Sequence, residues 1–141
     1  NMFKWFSSIG VNEEKFRNSI YMSAVCRCYP GKNAKGSGDR VPTELEIKKC
    51  SKWLNFEIAK LKPKLIIPVG KLAISQFLAF DRLNEVVGKK IVYSKNNYKI
   101  DIVSLPHPSG LSTWYKKDPG KKLLRDALEI IKKNYYWQSL L

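Results

Sequence analysis

The sequence predicts an α/β fold in which helices cover a largely parallel sheet. The first observation is a continuous apolar run at residues 65–69, which is typical of a strand buried on both faces. The second is the helical spacing of apolar residues in two longer segments, residues 42–61 and the segment after Asp118. The third is size, because 141 residues with 44% apolar side chains can form one domain around one core.

The first ten residues have the pattern of the last turns of a helix. Apolar side chains recur at helical spacing from Met2 to Ile9, and Gly10 suits the position after a helix C-terminus. Because no N-cap residue precedes them and the chain does not begin with methionine, we expect a preceding segment to be missing. Residues 11–18 then predict a polar connection, and residues 19–28 predict a buried strand.

A loop and a capped helix follow this predicted strand. Residues 29–40 are rich in turn-forming and basic residues, and their length indicates a functional loop. A helix is predicted from Pro42 to about Leu61, since Thr43 and Glu46 match the T-x-x-E capping-box pattern. Its inward face is expected to comprise Ile47, Cys50, Leu54, Ile58 and Leu61.

The second half of the chain contains the remaining elements. Residues 71–80 predict a short helix, and residues 85–94 and 98–106 predict two strands joined by a polar turn into a hairpin. Asp118 is the predicted N-cap of the last helix, and Pro119 is its predicted first residue. The apolar stripe of that helix comprises Leu123, Leu124, Ala127, Leu128 and Ile131.

Positive charge is the strongest global feature of the composition. The chain has 26 lysines and arginines against 12 acidic residues, a formal net charge of +14. This balance favours nucleic acid, or an anionic membrane surface, as partner; a merely solvated basic surface is the alternative. No run of 18 apolar residues and no signal peptide is visible, so we expect a soluble cytoplasmic protein. Three cysteines, an odd number, argue against a disulfide framework.

His107 is the only histidine in the chain, and it stands between Pro106 and Pro108. It follows the last predicted strand, and ligands of open α/β sheets bind beyond the carboxyl ends of strands. The two prolines restrict the backbone on both sides, so the imidazole is expected to be held in place. A rigid donor of this kind can stabilise negative charge that develops in a transition state. The alternative is a histidine that satisfies a loop carbonyl.

Three segments together resemble the uracil-DNA glycosylase superfamily, most closely its bacterial and archaeal branches that carry an iron–sulfur cluster. They are residues 21–33, residues 38–74 and residues 105–114, which contains the motif PHPSG. The resemblance implies a three-layer α/β/α sandwich around a mainly parallel four-stranded sheet. It implies a single domain over residues 1–141 that lacks its first strand and first active-site motif. The implied activity is hydrolysis of the N-glycosidic bond of uracil in DNA after base flipping.

The resemblance also implies roles for the residues of the PHPSG segment. In the family, the motif histidine donates a hydrogen bond to uracil O2 as the base departs, and His107 matches it. The residues expected to press on the DNA backbone are Pro108, Ser109 and Gly110. Leu111, followed by Ser112, is expected to enter the duplex as a wedge where the nucleotide is flipped out. For Trp114, packing under the last helix is the preferred interpretation.

Basic residues cluster around both predicted loops and are expected to contact phosphates. They are Lys32, Lys35 and Arg40 in the first loop, and Lys116, Lys117, Lys121 and Lys122 after the second. Asn33 is a further candidate for a base or backbone contact. Each lysine taken singly could equally be a solvated charge.

The resemblance assigns Cys28 and Cys50 as the second pair of ligands of a 4Fe–4S cluster, with Cys26 the less favoured candidate. A cubane cluster normally takes four cysteine thiolates, so the other two ligands are expected upstream of this chain. The alternative is that all three cysteines are small buried hydrophobic residues.

The chain departs from the family pattern in two places. The family's first motif, a glycine-rich loop containing APG, does not occur in the sequence, and Ser23-Ala24 stands where some members have asparagine. We expect a monomer that binds uracil-containing DNA and no membrane. The alternative is a non-catalytic nucleic-acid-binding member, or an incomplete fragment, of the same fold. A nucleotide-binding domain that uses PVGK, residues 68–71, is disfavoured because the glycine pattern of a phosphate loop is missing.

Overall fold

A computed structural model describes residues 1–36, 38–95 and 97–141. The chain divides into two compact units. The first comprises Asn1–Tyr21 together with Pro63–Leu141, and the second comprises Met22–Lys62. None of the helices in the described part of the chain is long and apolar enough to cross a membrane.

Two short helices open the first unit, α1 at Met2–Ser8 and α2 at Glu13–Ser19. Helix α2 corrects the prediction of a polar connection over residues 11–18. It begins because the Asn12 side chain accepts the backbone N–H of Lys15 at 2.9 Å, a cap that the spacing of apolar residues does not reveal. The only buried residue of α2, Phe16, stacks on Phe6 of α1 with ring centroids 4.8 Å apart.

The first unit contains a three-stranded sheet of order β1-β3-β2 within the described residues. Its strands are β1 at Leu65–Ile66, β2 at Lys90–Lys95 and β3 at Tyr98–Val103. Strands β2 and β3 pair antiparallel, which confirms the predicted hairpin, and β1 pairs parallel with β3. The mixed α/β class is confirmed. Strand β1 is shorter than the predicted strand over residues 65–69, and its two residues are half-buried because it is an edge strand of this sheet.

Helices from the second half of the chain close the core of the first unit. They are α4 at Lys71–Ile74, α5 at Gly120–Lys133 and α6 at Tyr135–Gln138, with short 3₁₀ turns at Leu83–Glu85 and Trp114–Lys116. The predicted stripe of α5 lies inward, since Leu124, Ala127 and Ile131 are buried. On α6, the buried Trp137 donates its indole N–H to the Ile9 carbonyl at 3.2 Å.

Helix α5 begins at Gly120, one residue later than predicted, with Pro119 in the N-cap position. A Cβ at position 120 would lie 2.1 Å from the carbonyl oxygen of Trp114, so the backbones of the 3₁₀ turn and α5 approach each other closely. Only glycine leaves room for that approach.

The prediction of a buried strand over residues 19–28 is wrong. The described residues there form no strand, and Tyr21 and Met22 are exposed. Small, β-branched and aromatic residues favour a strand only where neighbouring strands and burial complete it.

Helix α3, Glu44–Leu61, begins with the predicted capping box. The Thr43 hydroxyl accepts the Glu46 N–H at 3.3 Å, and the Glu46 carboxylate accepts the Thr43 N–H at 2.7 Å. The Arg40 guanidinium donates to both oxygens of that carboxylate, at 2.7 and 2.8 Å. The predicted inward face is half-buried at Ile47, Cys50, Leu54 and Ile58, whereas Leu61 is exposed. The prediction of an inward-packed face therefore holds only in part.

The variant Glu46→Gln tests the charged carboxylate of Glu46 at the start of α3, which pairs with Arg40. The hydrogen bonds from Arg40, and then from the Thr43 backbone, lower the pKa of Glu46 from 4.5 to about 2. Because the pKa is lower in the folded state, the stabilisation is present above about pH 4.5 and is lost as the pH falls toward 2. We expect the variant to unfold at a lower temperature at neutral pH, by circular dichroism, and the difference to shrink over that range.

The matched control is Glu44→Gln, which removes a carboxylate from the same helical turn but outside the capping box. The role of the Glu46 carboxylate would be contradicted if Glu44→Gln lowered the unfolding temperature equally. It would also be contradicted if the difference between Glu46→Gln and the unaltered protein did not change with pH.

The close approach at Gly120 is tested by Gly120→Ala against Gly110→Ala. We expect the first to lower the free energy of unfolding by about 1–3 kcal/mol, because the added methyl group meets rigid backbone. The second should be nearly neutral, since a Cβ at position 110 would have no atom within 4 Å. Urea unfolding measures both, and similar values for the two variants would contradict this packing.

Candidate active site

The backbone that presents His107 is held by pairing between two segments that leave the sheet. The Leu105 N–H donates to the Pro68 carbonyl at 3.0 Å, and the Gly70 N–H donates to the Leu105 carbonyl at 2.9 Å. Leu105 and Pro106 are buried, and His107 is the first exposed residue after them. The histidine therefore lies just beyond the carboxyl end of β3, where the sequence predicted it.

Gly70 lies directly beside the imidazole of His107. Its φ is +87°, and a Cβ there would lie 3.2 Å from Cδ2 of the histidine ring. Any other residue would therefore be strained and would push on the ring. The glycine of PVGK thus has a packing role next to His107, which sequence analysis missed because the two residues are 37 positions apart.

A hydrogen bond within the loop determines which nitrogen of His107 can donate. The backbone N–H of Ser109 donates to Nδ1 at 3.2 Å. In a neutral imidazole the accepting nitrogen carries no hydrogen, so Nε2 carries the proton. The ring is exposed, and its Nε2–H is thus available as a donor to a ligand.

Two residues outside the motif brace the loop. The Asn1 side-chain amide donates to the Pro108 carbonyl at 2.8 Å and to the Tyr115 hydroxyl oxygen at 3.2 Å. The Tyr115 hydroxyl in turn donates to the Ser109 carbonyl at 3.2 Å. The Tyr115 ring packs edge-on against Trp5 of α1, with centroids 5.1 Å apart. Sequence analysis named neither Asn1 nor Tyr115 as part of the site, because nothing in the local pattern links them to the loop.

The rest of the loop projects a single apolar side chain. Leu111 is 91% exposed, whereas Ser112 is half-buried. The Lys116 ammonium donates to the Gly110 carbonyl at 2.8 Å and so stabilises the turn before Leu111. Trp114 is half-buried against the hydrophobic core and donates its indole N–H to Asn84 at 3.1 Å, in line with the packing interpretation.

The other basic residues after the loop differ in their partners. Lys122 pairs with Asp126 at 2.9 Å, one helical turn along α5. Lys117 and Lys121 are exposed beside the loop. They add positive charge to the segment that follows the loop.

The candidate DNA-contacting residues of the first loop lie in the second unit. Lys32 forms an isolated antiparallel bridge with Asp39, and the Asn33 backbone N–H donates to the Gly38 carbonyl at 3.0 Å. The Asn33 side chain accepts the Lys35 N–H at 3.3 Å. Arg40 is engaged by its bidentate pair with Glu46, so its guanidinium stabilises the start of α3.

The three cysteines also lie in the second unit. Cys26 and Cys50 are half-buried, and their side chains are hydrogen-bonded to each other. Cys28 is exposed. The backbone N–H of Arg27, the Cys26 side chain and the backbone N–H of Cys28 together lower the pKa of Cys50, against partial burial. Burial, and then the contact with Cys50, raises the pKa of Cys26. Of Cys26 and Cys50, Cys50 is thus the thiol more readily converted to the thiolate that binds metals.

A four-thiolate cluster does not fit this chain by itself. The sequence has three cysteines, one fewer than such a cluster takes. Among residues 1–36, 38–95 and 97–141, no group of three or more histidine, cysteine or acidic side chains could hold a metal ion.

Comparisons with known proteins identify relatives of this chain. The chain is 27% identical over 111 residues to the Type-4 uracil-DNA glycosylase of Archaeoglobus fulgidus, covering 74% of this chain and 50% of that protein. It is 26% identical over 121 residues to the Type-4 enzyme of Saccharolobus solfataricus, covering 82% of this chain and 52% of that protein. With the Type-5 uracil-DNA glycosylase of Pyrobaculum aerophilum it shares 27% identity over 82 residues, 52% of this chain and 33% of that protein.

The chain thus spans about half the length of the Type-4 relatives that it matches. A family model described as the uracil DNA glycosylase superfamily matches residues 1–132, which include the His107 loop and all three cysteines. This chain belongs to the uracil DNA glycosylase superfamily.

Proposed function

We propose that this protein removes uracil from DNA by hydrolysing its N-glycosidic bond, with His107 as the donor to the departing base. The observation that carries the proposal is the hydrogen bond from the Ser109 N–H to Nδ1 of His107. It leaves Nε2–H as a donor, which is the form needed to stabilise negative charge on uracil O2 as the bond breaks. The donor is held before the reaction starts, because the braced loop and Gly70 restrict the ring.

DNA would be engaged by the loop that carries His107. Leu111, 91% exposed at its tip, has the size and apolar character of a wedge that occupies the space of a flipped nucleotide. Pro108, Ser109 and Gly110 would lie against the DNA backbone near it, and Ser112 would follow Leu111 into the duplex. Lys117 and Lys121 would contact phosphates there without reading sequence.

The residues of the second unit would complete the intact protein. Lys32 and Asn33 would contact DNA, and Arg40 would contribute charge beside its structural pair with Glu46. Cys28 and Cys50 would be two of four thiolate ligands of a 4Fe–4S cluster, the other two lying outside this chain. We further propose a monomeric, cytoplasmic, single-domain enzyme with a four-stranded, three-layer fold, in which a residue outside this chain positions the water.

A second candidate function is nucleic-acid binding without catalysis. It is favoured by the absence of an APG-containing loop from the sequence, since that loop helps to place water in the family. The same exposed loop and positive charge would then serve binding alone.

The variant His107→Ala tests the catalytic proposal. Excision of uracil from an oligonucleotide, read as alkali-sensitive abasic sites in single-turnover reactions, should fall roughly 10²–10³-fold in the variant, because one preorganised donor is lost. Binding of the oligonucleotide should change little. Both proteins are measured as the intact protein, and measurable binding without excision by the unaltered intact protein would overturn the catalytic proposal and favour the binding function.

The wedge is tested by Leu111→Ala. We expect excision from double-stranded DNA to fall about tenfold or more, while excision from single-stranded DNA falls less, because an unpaired base needs no wedge to stay extruded. Val92→Ala is the matched control, since Val92 is an exposed aliphatic residue on β2. Equal losses on both substrates, or a similar loss in the control, would contradict this role of Leu111.

A further inference from the structure

A cavity lies at the end of the sheet opposite His107. Its volume is about 430 Å³, within the range of small-ligand sites. It is lined by Lys64, Asn97, Tyr98, Lys99, Asp101 and Tyr136. Lys64 precedes β1 and Tyr98 begins β3, so the cavity is at the amino ends of these parallel strands. Eight residues of extended chain, roughly 25 Å, separate Lys99 from His107.

The charge of this cavity favours an anion. The Lys64 ammonium lies 4.5 Å from the ring centroid of Tyr98, and Lys99 is exposed at the start of β3. The carboxylate of Asp101 is already engaged, since it lies 3.6 Å from the Lys90 ammonium and accepts the Asn134 side-chain N–H at 3.0 Å. Two lysines therefore face the cavity against one carboxylate that has partners of its own.

The aromatic lining adds a surface on which a planar ring can stack. The Tyr98 hydroxyl donates to the Pro63 carbonyl, which holds that ring at the wall. Tyr136 is 43% exposed, and its backbone N–H is bonded by the Asn134 side chain at 3.0 Å, so its position on α6 is defined. Asn97, whose side chain is an amide, also lines the cavity. These groups match the parts of a nucleotide. A base can stack on a tyrosine ring, a phosphate can bind to lysine ammonium groups, and an amide can hydrogen-bond to the edge of a base.

We propose that this cavity binds one nucleotide unit, with its base stacked on Tyr136 and its phosphate between Lys64 and Lys99. The unit comes either from a free nucleotide or from a strand of nucleic acid. This site is separate from the one at His107 and makes no use of uracil.

The test uses deoxyadenosine monophosphate and deoxyadenosine, which contain no uracil, so the result is independent of excision at His107. Calorimetric titration should detect binding of the monophosphate. The nucleoside should bind at least about fivefold more weakly, because it has no phosphate to contact the lysines. Lys99→Ala and Tyr136→Ala should each weaken the monophosphate about fivefold or more. Lys99 is exposed at a strand end, so that variant is expected to fold even if Tyr136→Ala perturbs α6.

The matched control is Lys89→Ala, which removes an exposed lysine at the opposite end of the sheet, next to the β2 residue that pairs with Val103. Lys89→Ala should bind the monophosphate with the same affinity as the unaltered chain. An oligodeoxyadenylate of ten nucleotides distinguishes a free nucleotide from a nucleic-acid strand as the natural ligand. If it binds at least tenfold more tightly than the monophosphate, and Lys99→Ala weakens that binding, the ligand is a strand. Equal affinity for the two supports a free nucleotide. Absence of monophosphate binding, or equal losses in Lys99→Ala and Lys89→Ala, would overturn the proposal.

Discussion

The pairing of Leu105 with the backbone on either side of Val69 is the constraint on which the candidate active site depends. Two hydrogen bonds, from Leu105 to Pro68 and from Gly70 to Leu105, extend the parallel contact of β1 and β3 beyond the strands themselves. They bring Gly70 beside the ring of the exposed histidine that follows. Because both hydrogen bonds join main-chain atoms, side-chain motion does not change where they hold Gly70 and the backbone before His107.

The loop after this pairing combines a rigid base with an exposed tip. Its start is buried at Pro106, and its end is anchored by the half-buried rings of Trp114 and Tyr115. Between these anchors, carbonyl groups are bonded by side chains from the start of the chain and from the following 3₁₀ turn. Leu111 is the apolar side chain that projects from this loop into solvent. A site that must meet a deformable partner such as DNA benefits from this arrangement, because the donor stays fixed while the tip enters the duplex.

Local signals predicted the elements whose stabilising contacts are close in sequence. The capping box of α3 and the β2–β3 hairpin are examples, since each is closed by residues only a few positions apart. Prediction failed where a single side chain or a distant neighbour decides the outcome. Helix α2 depends on the Asn12 cap, and the strand expected over residues 19–28 has no partner among the described residues to complete it.

The amino-acid sequence alone specifies the chemical groups available to this protein: one histidine between two prolines, an excess of positive charge and three thiols. The membership of the uracil DNA glycosylase superfamily also follows from the sequence, because the histidine and the cysteines occur within motifs that resemble those of the family. Which of these groups contact one another follows from the folded structure. It brought Gly70 to His107, Asn1 and Tyr115 to the loop, and Tyr136 to the lysines at the other end of the sheet. These contacts join residues far apart in the chain, and their geometry follows from packing around a shared core, which local patterns do not encode.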